Sequence, residues 1–134
     1  MFTHEEKVLF KHCDPAGIVF FPRYFEMIND CVEHFFSQDL NWPFETVLKN
    51  GGVPTAEIQT RFTAPSRHGD LLTMNLAVME VGQSSMRYVL SISCGAEARA
   101  KAEARLVHVA NTGRPTPWPT EIADKLAAEM ENKS

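Results

Sequence analysis

The chain has 134 residues, 44% of them apolar and 22% charged, with a net charge of −4. That length suits one domain, 1–134, with one core, and the acidic balance gives no electrostatic reason to expect nucleic acid or an anionic membrane as a partner. No apolar run approaches the roughly 20 residues of a membrane helix, and Met1 to Glu6 lacks the basic and apolar regions of a signal peptide, so a cytoplasmic location is expected.

In chain order, Lys7 to Lys11 reads as a short strand leading into a loop at His12. The stretch His12-Cys13-Asp14-Pro15-Ala16-Gly17-Ile18-Val19-Phe20-Phe21-Pro22 follows. Asp before Pro favours a turn, and Gly17 frees the backbone to reverse closely. Pro22 suits the first turn of a helix, where its missing N–H is no loss. Neither Phe20 nor Phe21 can cap that helix, a task for Ser, Thr, Asp or Asn. A helix start with unclaimed donors and a positive dipole end is a seat for an anion or a developing oxyanion. Asp14 then stands beside it as a reactive carboxylate, or else merely holds its own turn through an Asx hydrogen bond. His12 is either a second acid–base group or a solvent-facing loop histidine.

From Pro22 to about Phe36 the pattern is helical, with Tyr24, Phe25, Ile28, Val32, Phe35 and Phe36 at three- and four-residue spacings. So wide and aromatic a stripe predicts a deeply buried helix. A short helix is expected over Pro43 to Lys49, stopped by Asn50-Gly51-Gly52. Period-two segments follow at Ala56–Ala64, Leu71–Val81 and Ser84–Cys94, the last two joined by a hairpin at Gly82-Gln83. In the first of them, Ile58, Thr60, Phe62 and Ala64 share one face.

The next segment, Ala98 to Val109, sets two signals against each other. Its Ala, Lys, Glu and Arg are strong helix formers. Yet Ala98, Ala100, Ala102, Ala104 and Leu106 alternate with Arg99, Lys101, Glu103 and Arg105. A helix would spread those charges around every face, whereas a strand puts them on one side. The segment is therefore predicted to be a strand. Asn111–Pro119, with three prolines, is an irregular loop, and an amphipathic helix over Thr120–Met130 carries Ile122, Leu126 and Met130 on one face. One buried helix followed by antiparallel strands implies an α+β fold, with the sheet wrapped around the helix.

Cys13, Cys31 and Cys94 are an odd count without C-x-x-C spacing, so neither a disulfide framework nor a zinc site is expected. No Walker-type or G-x-G-x-x-G loop is present to cradle phosphates, and no cofactor is expected. Arg61, Arg67, Arg87, Arg99, Lys101 and Arg105 are either anion contacts or a solvated strand face. His34 and His108 read as packing or surface residues.

The segment Asp14-Pro15-Ala16-Gly17-Ile18-Val19, with the aromatic pair Phe20-Phe21, Pro22 and a long helix, resembles the hotdog-fold acyl-CoA thioesterases of the 4-hydroxybenzoyl-CoA thioesterase type. The order of elements fits over roughly Lys7 to Ala110. The resemblance implies that Asp14 is the catalytic carboxylate, as nucleophile or general base, and that the backbone N–H of Phe21 polarises the thioester carbonyl. Further candidate substrate contacts are Gly17, either a turn residue alone or a close backbone approach to substrate, and Phe20 and Tyr24, either core packing or part of an aromatic pocket. Asn29 joins them through the resemblance. Asn29 matches an acidic position that bonds a phenol hydroxyl in the 4-hydroxybenzoyl enzyme. It is neutral here, which leaves the acyl group open between aromatic and short aliphatic. In similar enzymes two sheets join and active sites lie between subunits, so a homodimer or homotetramer acting on an acyl-CoA is expected. Two competing functions fit the same fold: a dehydratase or hydratase, which uses a His with a carboxylate, and a non-catalytic acyl-CoA binding module.

Overall fold

Alternation prevails over helix propensity in the segment richest in alanine. In the computed structural model, which describes residues 1–131, Glu97–Val107 is a strand with Ala100, Ala102, Ala104 and Leu106 buried beneath it. The elements run β1 (Phe2–Lys7), a 3-10 turn (Phe10–His12), α1 (Phe21–Gln38), α2 (Phe44–Val47), β2 (Gly51–Gly52), β3 (Thr55–Phe62), β4 (Leu71–Val81), β5 (Ser85–Cys94), β6 (Glu97–Val107), β7 (Val109–Ala110) and α3 (Thr120–Glu131). Five strands form one antiparallel sheet in the order β1-β4-β5-β6-β3, and β2 pairs with β7. This is the expected α+β hotdog architecture, with the sheet curled around α1.

The register explains the alanines. Across β5 and β6, Tyr88 faces Ala104, Leu90 faces Ala102 and Ile92 faces Ala100. Large residues on one strand meet small ones on the next, so the inner surface is level enough to take α1 at close range. Helix α1 presses Met27, Cys31, Phe35 and Phe36 into it, all fully buried. Phe25, assigned to that stripe on spacing, is only partly buried, because the helix turns Met27 and Cys31 inward instead. Truncating Phe35 or Phe36 to Ala would cost about 3–5 kcal/mol by the usual scale of such cavities. The β4–β5 hairpin closes through the Gly82 N–H donating to the Ser85 carbonyl at 2.8 Å. A Cβ on Gly82 would sit 2.8 Å from Ser85 Oγ, so a larger residue there would require that hydroxyl to turn away.

The first strand differs from expectation. It spans Phe2–Lys7, and the segment predicted as strand ends in the 3-10 turn. Leu9 and Phe10 are exposed rather than built into the sheet, while Phe2 is buried against Phe35. Phe2, His4 and Glu6 alternate onto the inner face, opposite Leu76, Met74 and Leu72. There His4 stacks on His34 of α1 at 4.4 Å. Glu6 Oε2 lies 3.8 Å from His4 Nε2, too long for a hydrogen bond, and has no other partner among the described residues. Burial, then the nearby Asp30 carboxylate, raises the Glu6 carboxyl to about 7. Burial and then His34 lower the pKa of His4.

At the opposite edge, β3 is largely exposed, including Ile58 and Phe62 on its inner face. Helix α3 buries Ile122 and Leu126 and leaves Met130 half-buried. Its Lys125 ammonium donates to the Leu40 carbonyl just beyond α1, at 2.9 Å.

Candidate active site at the start of helix α1

The turn before α1 is held by its own backbone. The Asp14 N–H donates to the Ile18 carbonyl at 3.0 Å, and the Gly17 N–H to the Asp14 carbonyl at 2.9 Å. Gly17 takes φ +81°, a left-handed value that strains any L side chain. Nothing lies within 4 Å of where its Cβ would be, so conformation rather than close contact requires glycine. Asp14 Oδ1 accepts the Ala16 N–H at 2.8 Å. The Asx turn therefore forms, but it engages one carboxylate oxygen only. Oδ2 has no protein partner among the described residues, and Asp14 is partly exposed. One oxygen fixes the carboxylate and the other remains free to act.

The helix start matches the sequence expectation. Phe20 occupies the cap position with extended backbone and no side-chain cap bond. Its own N–H donates to the His12 carbonyl at 2.9 Å, which ties the helix start to the loop upstream of Asp14. Among the first three helical residues, Pro22 has no N–H and Arg23 donates to the Phe20 carbonyl at 2.8 Å. That leaves the Phe21 N–H, for which no acceptor exists among the described residues. It points out of the positive end of an 18-residue helix. Phe20 and Phe21 expose 47% and 58% of their surface, so neither ring blocks approach by burying the donor in protein.

Two recesses flank this point. An apolar one of about 380 Å³ is lined by Ile18, Val19, Phe21, Tyr24, Phe62 and Pro65. Its wall is braced by a network that sequence patterns did not single out. The Tyr24 O–H donates to the fully buried Ser66 Oγ at 2.8 Å, and Arg99 donates to the same oxygen at 3.2 Å. The Ser66 carbonyl accepts the Val19 N–H at 2.8 Å. The other recess, about 500 Å³, is lined by Lys11, His12, Phe25, Glu26, Asn29 and Asp30.

The fold thus brings Asp14, Gly17, Phe20, Phe21 and Tyr24 together at the helix start, while Asn29 stands about two turns further along α1 in the second recess. His12 is not a solvent-facing loop residue: it is 4% exposed, and its Nδ1 accepts the Leu9 N–H at 2.8 Å. Its burial depends on α1 packing over the loop, which no local pattern announces. Arg99 is committed to Asp70, Ser66 and the Pro65 carbonyl, and so is not a free anion contact. Arg61 and Lys101 sit opposite each other on the exposed outer face of β3 and β6. The three cysteines are free thiols.

A family profile described as the thioesterase-like superfamily matches residues 8–126. A 1,4-dihydroxy-2-naphthoyl-CoA hydrolase from Synechocystis is 27% identical over 132 residues, covering 92% of this chain and 95% of that protein. A 4-hydroxybenzoyl-CoA thioesterase from Pseudomonas is 29% identical over 94 residues, covering 68% of this chain and 67% of that one. Among solved structures, the Synechocystis 1,4-dihydroxy-2-naphthoyl-CoA thioesterase superposes with a TM-score of 0.87 at 23% identity, over 94% of this chain and 95% of its own. A Staphylococcus aureus protein solved in complex with CoA gives a TM-score of 0.90 at 18% identity, over 99% and 85%.

Proposed function

This chain belongs to the thioesterase-like superfamily, and on that premise we propose that it hydrolyses the thioester of an aromatic acyl-CoA to the free acid and CoA. Asp14 acts as nucleophile or general base, and the Phe21 N–H stabilises the carbonyl oxygen as it becomes an oxyanion. The observation that carries the reading is that the short segment opening α1 holds two unclaimed groups, Asp14 Oδ2 and the Phe21 N–H. Either a water deprotonated by Asp14 adds to the thioester carbon, or Asp14 itself adds and water then hydrolyses the acyl-Asp14 anhydride to the free acid. In both routes the C–S bond breaks and the CoA thiolate leaves with a proton taken up from Asp14 or solvent. Two similar proteins named above act on hydroxylated aromatic acyl-CoAs, which supports the aromatic class. Gly17, Phe20, Tyr24 and Asn29 are the residues we place against substrate. Thiol release from a panel of acyl-CoAs tests the activity. Asp14→Asn, which keeps the shape and removes the charge, should lower kcat by roughly 10²–10⁴-fold. Near-normal turnover by the folded variant would remove Asp14 from the mechanism. A single turnover in ¹⁸O-water tests the nucleophilic role: label in Asp14 marks it as the nucleophile.

We also propose that the protein is cytoplasmic, that residues 1–134 form one domain, and that it works as a homodimer or homotetramer joined through β3. That edge is long and exposed, and edges of this kind are templates for pairing. Ile58 and Phe62, 39% and 42% exposed on its inner face, would be covered by a second copy. Light scattering that shows a fully active monomer would rule this out.

A further inference from the structure

His12 is the buried titratable group nearest the helix start that the mechanism leaves unused, and its two ring nitrogens have different fates. Nδ1 accepts the Leu9 N–H, so it carries no proton and the ring is the Nε2–H tautomer. Nε2 has no protein partner, yet it is absent from the buried unsatisfied atoms among the described residues. Nε2 therefore keeps some contact with open space, and as the protonated nitrogen it is a donor there. That space is the 500 Å³ recess shared with Phe25 and Asn29. The His12 carbonyl meanwhile holds the Phe20 N–H, one peptide away from the proposed oxyanion donor. The ring is thus placed rigidly relative to the reacting carbonyl.

The charge around the recess is balanced. Lys11 and Arg23 stand against Glu26 and Asp30, and Arg23 pairs with Glu26 at 2.8 Å. Burial first, then Lys11, lower the His12 pKa, while Glu26 and Asp30 pull the other way and Arg23 adds to the lowering. The recess offers a neutral donor at His12 and a donor–acceptor amide at Asn29. That set suits a hydroxyl and gives a carboxylate no net positive charge to meet.

We infer that His12 is a specificity-determining residue whose Nε2–H, together with Asn29, binds a neutral hydroxyl on the acyl group in this recess. The inference rests on the thioesterase reading above. On this assignment His12 is not an acid–base catalyst, and the apolar recess beside Tyr24 and Phe62 is left for the pantetheine arm.

Two variants separate the ring's edges. His12→Asn places an amide oxygen where Nδ1 was, so the Leu9 contact survives and the distal donor is lost. His12→Gln restores a donor near the Nε2 position. The probes are benzoyl-CoA and its 2-, 3- and 4-hydroxy derivatives, read by thiol release. We expect His12→Asn to melt like the wild type and to hydrolyse benzoyl-CoA at a similar rate. Its preference for the favoured hydroxy isomer, as a ratio of kcat/KM values, should fall roughly 3–10-fold, the usual worth of one hydrogen bond. His12→Gln should recover part of that ratio. The pH profile of kcat/KM should keep its shape in His12→Asn. An unchanged preference for all three isomers in active His12→Asn overturns the inference and leaves the thioesterase reading intact, as does loss of an acidic limb from the pH profile. Failure of the wild type to release thiol from any acyl-CoA overturns both.

Discussion

The two ends of helix α1 are built in opposite ways. At the C-terminal end the chain turns back onto its own helix, with the Asp39 and Leu40 N–H groups both donating to the Phe35 carbonyl. Asn41 takes a left-handed φ of 49°, the Trp42 N–H reaches back to the Phe36 carbonyl at 2.9 Å, and Lys125 closes the Leu40 carbonyl from α3. At the N-terminal end the cap residue is a phenylalanine, the next residue but one is a proline, and the Phe21 N–H is left over. One helix therefore has a finished end and an unfinished end. The Phe21 N–H is the first helical donor, which a Ser or Asp at Phe20 would not reach, because a cap side chain serves the second or third N–H. On the function proposed above, that donor is the one offered to a substrate.

The sharpest way to break this contrast is to delete the left-over donor alone. An ester in place of the amide at Phe21, made by backbone synthesis, should lower kcat by roughly 10²–10³-fold. It should leave the melting temperature nearly unchanged, because no protein bond is lost. Full activity would mean that the oxyanion is stabilised elsewhere. The mirror experiment at the finished end is Lys125→Met. It should destabilise the fold by about 1 kcal/mol, read by chemical denaturation, since it strands the Leu40 carbonyl, while kcat stays at the wild-type value. A loss of activity without a loss of stability would invert the assignment of the two ends.

Between the ends lies the seam of His4, Glu6, Asp30 and His34, with Lys11 nearby. The Glu6 carboxyl is raised from its ordinary 4.5 to about 7 in the fold. The folded state thus holds its proton more tightly than the unfolded chain does, and ionisation works against folding. Glu6→Gln should raise the melting temperature by a few degrees at pH 8. That gap should narrow as pH falls from about 7 towards 4.5 and vanish below it. A gap independent of pH would show that Glu6 is not the titrating group. The smallest effect is expected for Phe21→Leu, which keeps the N–H. Its activity should stay within roughly twofold of wild type, the usual range for an exposed substitution.

What the sequence made legible follows from locality. The turn at Asp14, the left-handed Gly17 and the uncapped helix start involve neighbours within a few residues, and all were readable. So were β4, β5 and β6, because strict alternation survives even alanine's helix propensity. The misread regions depend on distant partners. His4 and Glu6 occupy core-facing positions of β1 because His34 and Asp30 meet them from α1, and two polar inner residues conceal the strand's pattern. His12 is buried by a helix that begins nine residues later. Ser66 lies in a loop far from Tyr24 in sequence and braces it by a single hydroxyl. Ile58 and Phe62 share the face that spacing gave them, but an edge strand leaves that face half open.

The pairing of β1 with β4 also has a consequence during synthesis. Phe2 finds its place opposite Leu76 and Lys7 opposite Leu71, so β1 cannot enter the sheet until α1, α2, β2, β3 and β4 have been made. At roughly 5–20 residues per second that is a delay of several seconds. A waiting strand of apolar residues would invite pairing with another nascent chain. This one carries Thr3, His4, Glu5, Glu6 and Lys7 behind a single Phe2. The polar residues that conceal β1 from pattern also keep it solvated until its partner arrives.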